Sequence, residues 1–348
     1  MPDARPAPIP VTLIGGFLGA GKTTLLNHIL SDDHGVRAAV LVNDFGSINI
    51  DARLVVGVEG DTLELANGCV CCTIRDDLAG ACLALLQRPE RPEHLFIELS
   101  GVSDPVPVIN TFLETELRAC FALSSVLAVV DAEQFPLMND HMAHLARSQL
   151  GAADIIVLNK ADLVSKKQLD YVRTLVHGLT PGARIIDLEH GRLPLALVFT
   201  PPGEVNTARQ RDQSGHKGEH SHAHDFATWS WSSDRPLSLP GLRSVLEALP
   251  DSVYRCKGIV YFEEMPRNRY VLQMVGKRYH IEEVEPQAEQ RLCSEIVLIG
   301  GRQGINDRLL KPAFDSCIGT GDESHSPTLR LMRKLAPELL EQPMETRR

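Results

Sequence analysis

Short apolar runs alternate with stretches of helical spacing along the first part of the chain. The run at residues 11–14 leads into residues 22–30, where leucine and isoleucine fall on one helical face. The same alternation predicts further strands and helices, the strands at 38–42, 95–98, 126–130 and 155–158 and the helices at 78–86 and 143–150. Apolar strands separated by helices predict an α/β fold with a mostly parallel sheet covered on both faces.

The pattern changes near residue 200, where two prolines and a glycine open a polar stretch without periodicity. Beyond it, closely spaced strands between two helices predict a smaller C-terminal α+β domain, with strands at 227–231, 254–262, 270–275, 278–281 and 295–299, helices at 239–249 and 306–317, and turns at 266–268 and 276–277. We therefore expect a loose N-terminus, an α/β domain, a linker, an α+β domain and a polar tail, at 1–10, 11–200, 201–226, 227–318 and 319–348.

The charge balance narrows the classes of partner. The formal net charge is -10, which disfavours general binding of nucleic acid or of anionic membranes. No apolar run is long enough to span a bilayer and no secretory signal is visible, so we expect a cytoplasmic protein. In that setting eight cysteines do not indicate a disulfide framework.

A glycine-rich sequence lies between the first predicted strand and the first predicted helix. Residues 16–23, GFLGAGKT, fit the phosphate-loop pattern G-x-x-x-x-G-K-[ST]. Backbone N–H groups and the helix N-terminus would surround phosphate oxygens, Lys22 would reach the β- and γ-phosphates, and the Thr23 hydroxyl would bind Mg²⁺. The expected contacts in this segment are Gly16, Gly19, Ala20, Gly21, Lys22, Thr23 and Thr24.

A second motif, Asn159-Lys160-Ala161-Asp162, follows the predicted strand at 155–158. The Asp162 carboxylate can accept hydrogen bonds from guanine N1–H and its exocyclic amine, a donor pair that adenine lacks. Asn159 can bind the other polar edge of the base, and the stem of Lys160 can cover a base face. The motif favours GTP over ATP.

Two carboxylates stand at other strand ends. Glu98 begins the sequence E-L-S-G and can hold a magnesium-bound water or the attacking water, while Gly101 can donate its N–H to the γ-phosphate. Asp44 follows the strand at 38–42, and its two interpretations are a nucleotide-linked contact and a simple turn former.

Three thiols fall within four residues, at Cys69, Cys71 and Cys72. Thiolates are soft donors for Zn²⁺ and related ions, and three on one turn leave a coordination position open. The alternatives are three cysteines packed in a core turn and a redox couple. The five other cysteines are scattered, and we interpret them as structural.

The linker carries a cluster of histidines, namely His216, His220, His222 and His224. Neutral imidazoles at this spacing on a linker can collect Zn²⁺ weakly. The alternative is a solvated linker that binds metal only incidentally.

Together these motifs resemble the CobW-type metallochaperone GTPases, P-loop NTPases that share a GGFLGAGKTT loop, a C-x-C-C motif, an E-x-x-G element and an N-K-x-D motif in this order. The resemblance spans about residues 11–200, with weaker similarity over 227–317 and a frequent histidine segment between them. It implies slow GTP hydrolysis coupled to delivery of zinc, or in some branches cobalt, to a client metalloprotein. Members often carry N-E-F-G, whereas this chain has N-D-F-G, with the shorter carboxylate Asp44.

Other functions stay open at this point. A cobalt-handling or metalloenzyme-activating GTPase, acting in cobalamin synthesis or on a nitrile hydratase, would share every motif. A zinc buffer would bind metal without nucleotide coupling, and a P-loop small-molecule kinase would not need residues 159–162. The motifs are compatible with a homo-oligomer and with more than one client protein.

Overall fold

The computed structural model describes residues 7–32, 34–42, 62–64, 73–114, 116–138, 140–188, 192–199, 226–284, 293–302 and 304–319. The chain divides into two compact units. One is drawn from residues 1–203 with 275–278, and the other from 204–274 with 279–348.

The first unit alternates strands and helices as the apolar pattern predicts. Its elements are β1 (Ile9–Gly16), α1 (Lys22–Ser31), β2 (Ala38–Val42), β3 (Thr62–Glu64), α2 (Thr73–Leu86), β4 (His94–Glu98), α3 (Val106–Glu114), β5 (Phe121–Asp131), α4 (Asp140–Gly151), β6 (Ile155–Asn159), α5 (Lys166–Leu179) and β7 (Ile185–Asp187). Because β1 begins at Ile9, it starts two residues before the expected domain boundary.

The strands of this unit form one sheet in the order β3-β2-β4-β1-β5-β6-β7. Each neighbouring pair is parallel. Strand β1 lies centrally, with Leu13 opposite Ile97 on β4 and Val126 on β5. Strands β2, β4 and β6 are buried along their whole length, which explains their unbroken apolar runs. The predicted α/β fold with a mostly parallel sheet is confirmed.

Chain order reverses at β1, because β4 lies on one side of it and β5 on the other. In open parallel sheets the loops at the carboxyl ends of the strands around such a point form a crevice for ligands. The segments that follow β1, β4, β5 and β6 therefore meet at one edge of the sheet.

The second unit is an α+β arrangement, also as predicted. Its elements are β8 (Phe226–Ser233), α6 (Leu239–Ala248), β9 (Val253–Phe262), β10 (Met265–Val275), β11 (Arg278–Val284), β12 (Ser294–Gly301) and α7 (Asp307–Asp315). The strands form a sheet in the order β11-β10-β9-β12-β8, in which β12 pairs antiparallel with β8 and β9. Its core includes both tryptophans, Leu242 and Leu246 of α6, and Phe314 of α7.

The turn predicted at residues 266–268 is wrong, because β10 already begins at Met265. The turn lies at Glu263 and Glu264. The Glu264 carboxylate accepts the backbone N–H of Leu239 at 3.2 Å. This hydrogen bond connects the turn to the start of α6.

Within the part of the chain that the structure describes, no helix is long and apolar enough to cross a membrane.

Candidate nucleotide-binding site

The phosphate-loop sequence connects β1 to α1, as its motif requires. Gly16, Gly19 and Gly21 have φ values of +130, +71 and +97°, a region that side chains with a Cβ rarely adopt. A Cβ on Gly16 would lie 2.1 Å from the carbonyl oxygen of Val129, so the loop also needs glycine for space. Helix α1 begins without a side-chain cap, which leaves its N-terminus suited to an anion.

Two residues of the first turn of α1 point toward neighbouring polar atoms. The buried Lys22 donates from Nζ to the carbonyl oxygen of Phe17 at 3.0 Å, within the loop itself. Thr23 Oγ1 donates to Glu98 Oε1 at 2.7 Å, which joins the loop to the carboxyl end of β4. Thr24 is exposed on the same helix.

Glu98 is a carboxylate in a nearly water-free position, with only 1% of its surface exposed. Burying an ionised carboxylate is costly unless it is paired. A hydroxyl and a carboxylate side by side, next to a phosphate loop, form the hard oxygen donor set that Mg²⁺ prefers. The residues present therefore fit a magnesium ion beside a nucleotide.

The N-K-x-D motif lies directly against the phosphate loop. Asn159, the last residue of β6, donates from Nδ2 to the carbonyl oxygen of Ala20 at 2.9 Å. Its Oδ1 atom is buried and has no hydrogen-bond partner among the described residues. A Cβ on Gly21 would lie 2.3 Å from the same amide nitrogen, so the two motifs are in contact. Asp162 is exposed, in a short turn over Ala161–Leu163.

Lys160 adopts an unusual backbone conformation. Its φ is 60°, and it is the only non-glycine residue with a positive φ in the described part of the chain. Its ammonium group lies 2.7 Å from Asp131 Oδ2. Such a left-handed conformation costs free energy and persists where the surroundings impose it.

Asp131 is a residue that the motifs did not reveal. It ends β5, directly opposite Asn159 in the parallel register of β5 and β6. Its Oδ1 accepts the backbone N–H groups of Glu133 at 2.9 Å and Gln134 at 3.1 Å. These bonds fix the carboxylate that holds Lys160. The signal in the sequence was the carboxylate that ends an apolar strand.

The loop after Glu98 also contacts the phosphate loop. A Cβ on Gly101 would lie 2.3 Å from the backbone nitrogen of Leu18, so only glycine fits there. The structure thus brings the predicted residues of the phosphate loop, Glu98, Gly101 and the N-K-x-D motif to one edge of the sheet.

The predicted zinc ligands and the carboxylate Asp44 lie outside the described residues, the zinc ligands being Cys69, Cys71, Cys72, His216, His220, His222 and His224. Helix α2 begins at Thr73, immediately after the thiol motif in sequence. Among the described residues, no group of three or more histidine, cysteine or acidic side chains could hold a metal ion.

Two of the described cysteines, Cys82 and Cys317, are buried and differ from a thiolate site in their chemistry. Burial raises the pKa of Cys82 to about 12 and that of Cys317 to about 11. Both thiols therefore stay protonated near neutral pH and are poor metal ligands.

Comparison with known proteins identifies both units. Residues 10–187 match the family described as CobW/HypB/UreG, nucleotide-binding domain, and residues 226–318 match the cobalamin synthesis protein cobW C-terminal domain. The chain is 32% identical over 305 residues to the zinc chaperone YjiA of Escherichia coli, covering 84% of this chain and 94% of that protein.

A second relative is the zinc-regulated GTPase metalloprotein activator 1 of Schizosaccharomyces pombe, which is 30% identical over 345 residues, covering 86% of this chain and 84% of that protein. Among solved structures, that of Zn(II)-bound YjiA GTPase from E. coli is 28% identical, with a TM-score of 0.43, and covers 90% of this chain and 100% of that one.

Proposed function

The chain belongs to the CobW/HypB/UreG family and is a GTPase, and from that premise we propose that it is a zinc metallochaperone. In this proposal Cys69, Cys71 and Cys72 bind Zn²⁺, and the nucleotide state controls its transfer to a client metalloprotein. The observation that carries the proposal is the order of the elements: the thiol motif directly precedes α2 in the unit that holds the nucleotide site.

Helix α2 gives that position a chemical advantage. The helix spans 14 residues, and the partial positive charge at its N-terminus would favour thiolate over thiol in a cysteine placed beside it. Thiolates are the form that binds Zn²⁺. The buried thiols such as Cys82 have the opposite bias, because burial raises the pKa.

The phosphate end of the site performs the hydrolytic part of the function. Lys22 neutralises charge on the β- and γ-phosphates once it exchanges the Phe17 carbonyl for phosphate oxygens. Thr23 and Glu98 are the residues that would hold Mg²⁺, which supplies further neutralisation of phosphate charge when bound. Gly101, pressed against Leu18, offers its N–H to the γ-phosphate and moves when that group leaves.

The base end selects guanine. Asp162 is exposed and therefore accessible to a ligand, and it pairs with the two donors on the guanine edge. Asn159 joins that end to the phosphate loop through Ala20. Lys160, held by Asp131, covers a face of the base with its aliphatic stem.

Zinc binding with and without the central thiol tests the proposal. Cys71→Ser should weaken Zn²⁺ affinity by more than the ~10–100-fold that losing even an outer-shell partner costs. Basal GTP hydrolysis should stay the same, because the nucleotide residues are intact. Competition with a chromophoric chelator measures the affinity, and Cys293→Ser, a partly exposed thiol elsewhere, is the matched control.

If Cys71→Ser and Cys293→Ser bind zinc as tightly as the unchanged chain, the thiol site is wrong. A chain that binds zinc at the thiols but holds it equally with GDP and with GTP would be a zinc buffer. Replacing Zn²⁺ by Co²⁺ in the same titration compares the two metals directly, since thiolates accept both.

A further inference from the structure

A buried glutamine on α4 forms hydrogen bonds with the loop that follows Glu98. Gln149 is 3% exposed, and its Nε2 donates to the carbonyl oxygens of Ser103 at 3.0 Å and Gly101 at 3.4 Å. These partners lie 46 and 48 residues away in the chain. The contact is therefore made by tertiary packing and not by a local turn.

The neighbouring residue of α4 supports the same loop at its far end. Ser148 Oγ donates to Asp104 Oδ1 at 2.6 Å. The same oxygen accepts the backbone N–H of Val106 at 3.0 Å, at the start of α3. The last turn of α4 thus holds residues 101–104 at three points.

On its other side the loop meets the phosphate loop. A Cβ on Gly101 would lie 2.3 Å from the backbone nitrogen and 2.7 Å from Cγ of Leu18. The loop closes on itself through the bond from the Ser103 N–H to the Ser100 carbonyl, at 2.9 Å. Gly101 is therefore held between α4 and the loop that binds phosphate.

Two further polar atoms lie buried at this contact between α4 and the loop. Gln149 Oε1 and Ser100 Oγ are buried and have no hydrogen-bond partner among the described residues. A buried polar atom without a partner is unfavourable, because it has given up its hydrogen bonds to water without replacing them. An arrangement of this loop that satisfied either atom would compete with the one seen here.

We propose that Gln149 is a positioning residue for GTP hydrolysis, which fixes Gly101 where its N–H can reach the γ-phosphate. Glycine is the residue with the most backbone freedom, so its placement has to come from its neighbours. The amide of Gln149 supplies that restraint through two carbonyls. The inference rests on the role proposed above for Gly101.

The restraint predicts a difference between nucleotides. GDP has no γ-phosphate and does not sense the position of Gly101, whereas GTP does. Loss of the Gln149 amide should therefore reduce kcat and the affinity for a non-hydrolysable GTP analogue, while the affinity for GDP stays constant. The expected factor is roughly tenfold, as the loss of one or two hydrogen bonds implies.

The test compares three variants with Mg²⁺ present and without zinc or client. Gln149→Met keeps the side-chain length but removes the donor, and Gln149→Glu places an acceptor against two carbonyls and should have the larger effect. Gln273→Met, an exposed glutamine on β10, is the matched control. Steady-state kinetics give kcat and KM, and fluorescent analogues give the affinities for GDP and for the GTP analogue.

Equal losses of GDP and GTP affinity together with a lower Tm would show a merely structural role and overturn the proposal. So would Gln149→Met behaving like the unchanged chain. Gly101→Ala distinguishes the proposed role of Gly101 from that of Gln149. If Gly101→Ala impairs GTP hydrolysis and Gln149→Met does not, the role of Gly101 stands and that of Gln149 fails. Because zinc is absent, failure of zinc transfer has no effect on these results.

Discussion

Both units bury polar side chains, but they use them differently. In the first unit the buried Lys22, Glu98, Asp131 and Asn159 lie in or beside the loops at the carboxyl ends of parallel strands. In the second unit two part-buried polar contacts join strand to helix. Trp229 and Trp231 donate their indole N–H groups to Asp307 and Asp315.

This difference distinguishes the polar groups of a binding site from those that support a hydrophobic core. The polar groups of the first unit connect distant segments around one loop, and the buried Oδ1 of Asn159 has no hydrogen-bond partner within the described part of the chain. In the second unit each indole N–H is satisfied by one carboxylate of α7, while its ring packs on Phe314. Changes in the first set should therefore reduce activity, and changes in the second should reduce stability.

The strongest expected effect in the first unit comes from Lys22. Lys22→Ala should reduce GTP turnover by on the order of 10²–10³-fold, because a charge that stabilises the transferring phosphoryl group is lost. Steady-state kcat/KM measures it. The control is Lys311→Ala, which removes a surface ion pair of the second unit. A similar loss of turnover in that variant would contradict the assignment of activity to the first unit.

Asp162 should change the choice of base. Asp162→Asn should lower GTP affinity by on the order of 100-fold or more and shift preference toward xanthine nucleotides, because its carboxylate acceptor is replaced by an amide. The residue is exposed, so Tm should stay constant. Competition binding with GTP and XTP measures the shift, and unchanged GTP affinity would refute the assignment.

Replacing Asp131 should weaken the binding of GDP and of GTP to the same extent. Asp131→Asn keeps an acceptor for Glu133 and Gln134 but removes the charge opposite Lys160. Affinity for GDP and for a GTP analogue should fall together, by roughly tenfold, since a charge-assisted hydrogen bond is weakened. A loss confined to the GTP analogue would place Asp131 at the phosphate end instead.

The smallest expected effect lies in the second unit. Trp231→Phe keeps the ring near Phe314 and removes the N–H bond to Asp315. Stability should fall by about 1 kcal/mol, while GTP kinetics stay the same. Urea unfolding measures the change, and altered hydrolysis would show that the second unit contributes to the site.

The sequence predicts those parts of the site that depend on residues close to one another in the chain. The phosphate loop needs glycine at fixed spacing, and the strands that carry Glu98 and Asn159 are unbroken apolar runs. Both features can be read without knowledge of distant contacts. The α/β and α+β classes followed from the same periodicities.

The residues that sequence reasoning missed depend on tertiary register. Asp131 faces Asn159 only because β5 and β6 pair in parallel at that point. Gln149 reaches Gly101 only because α4 packs beside the loop after β4. The turn after β9 lies at Glu263 and Glu264, and there the Glu264 carboxylate accepts the N–H of Leu239, 25 residues away in the chain.

In the proposed function the nucleotide controls how tightly the thiols hold zinc, and calorimetry tests that control directly. Zn²⁺ is titrated into the full chain loaded with GDP and into the full chain loaded with a non-hydrolysable GTP analogue. We expect different zinc affinities in the two states, with the difference lost in Cys71→Ser. Superimposable isotherms for the two loaded forms would contradict it.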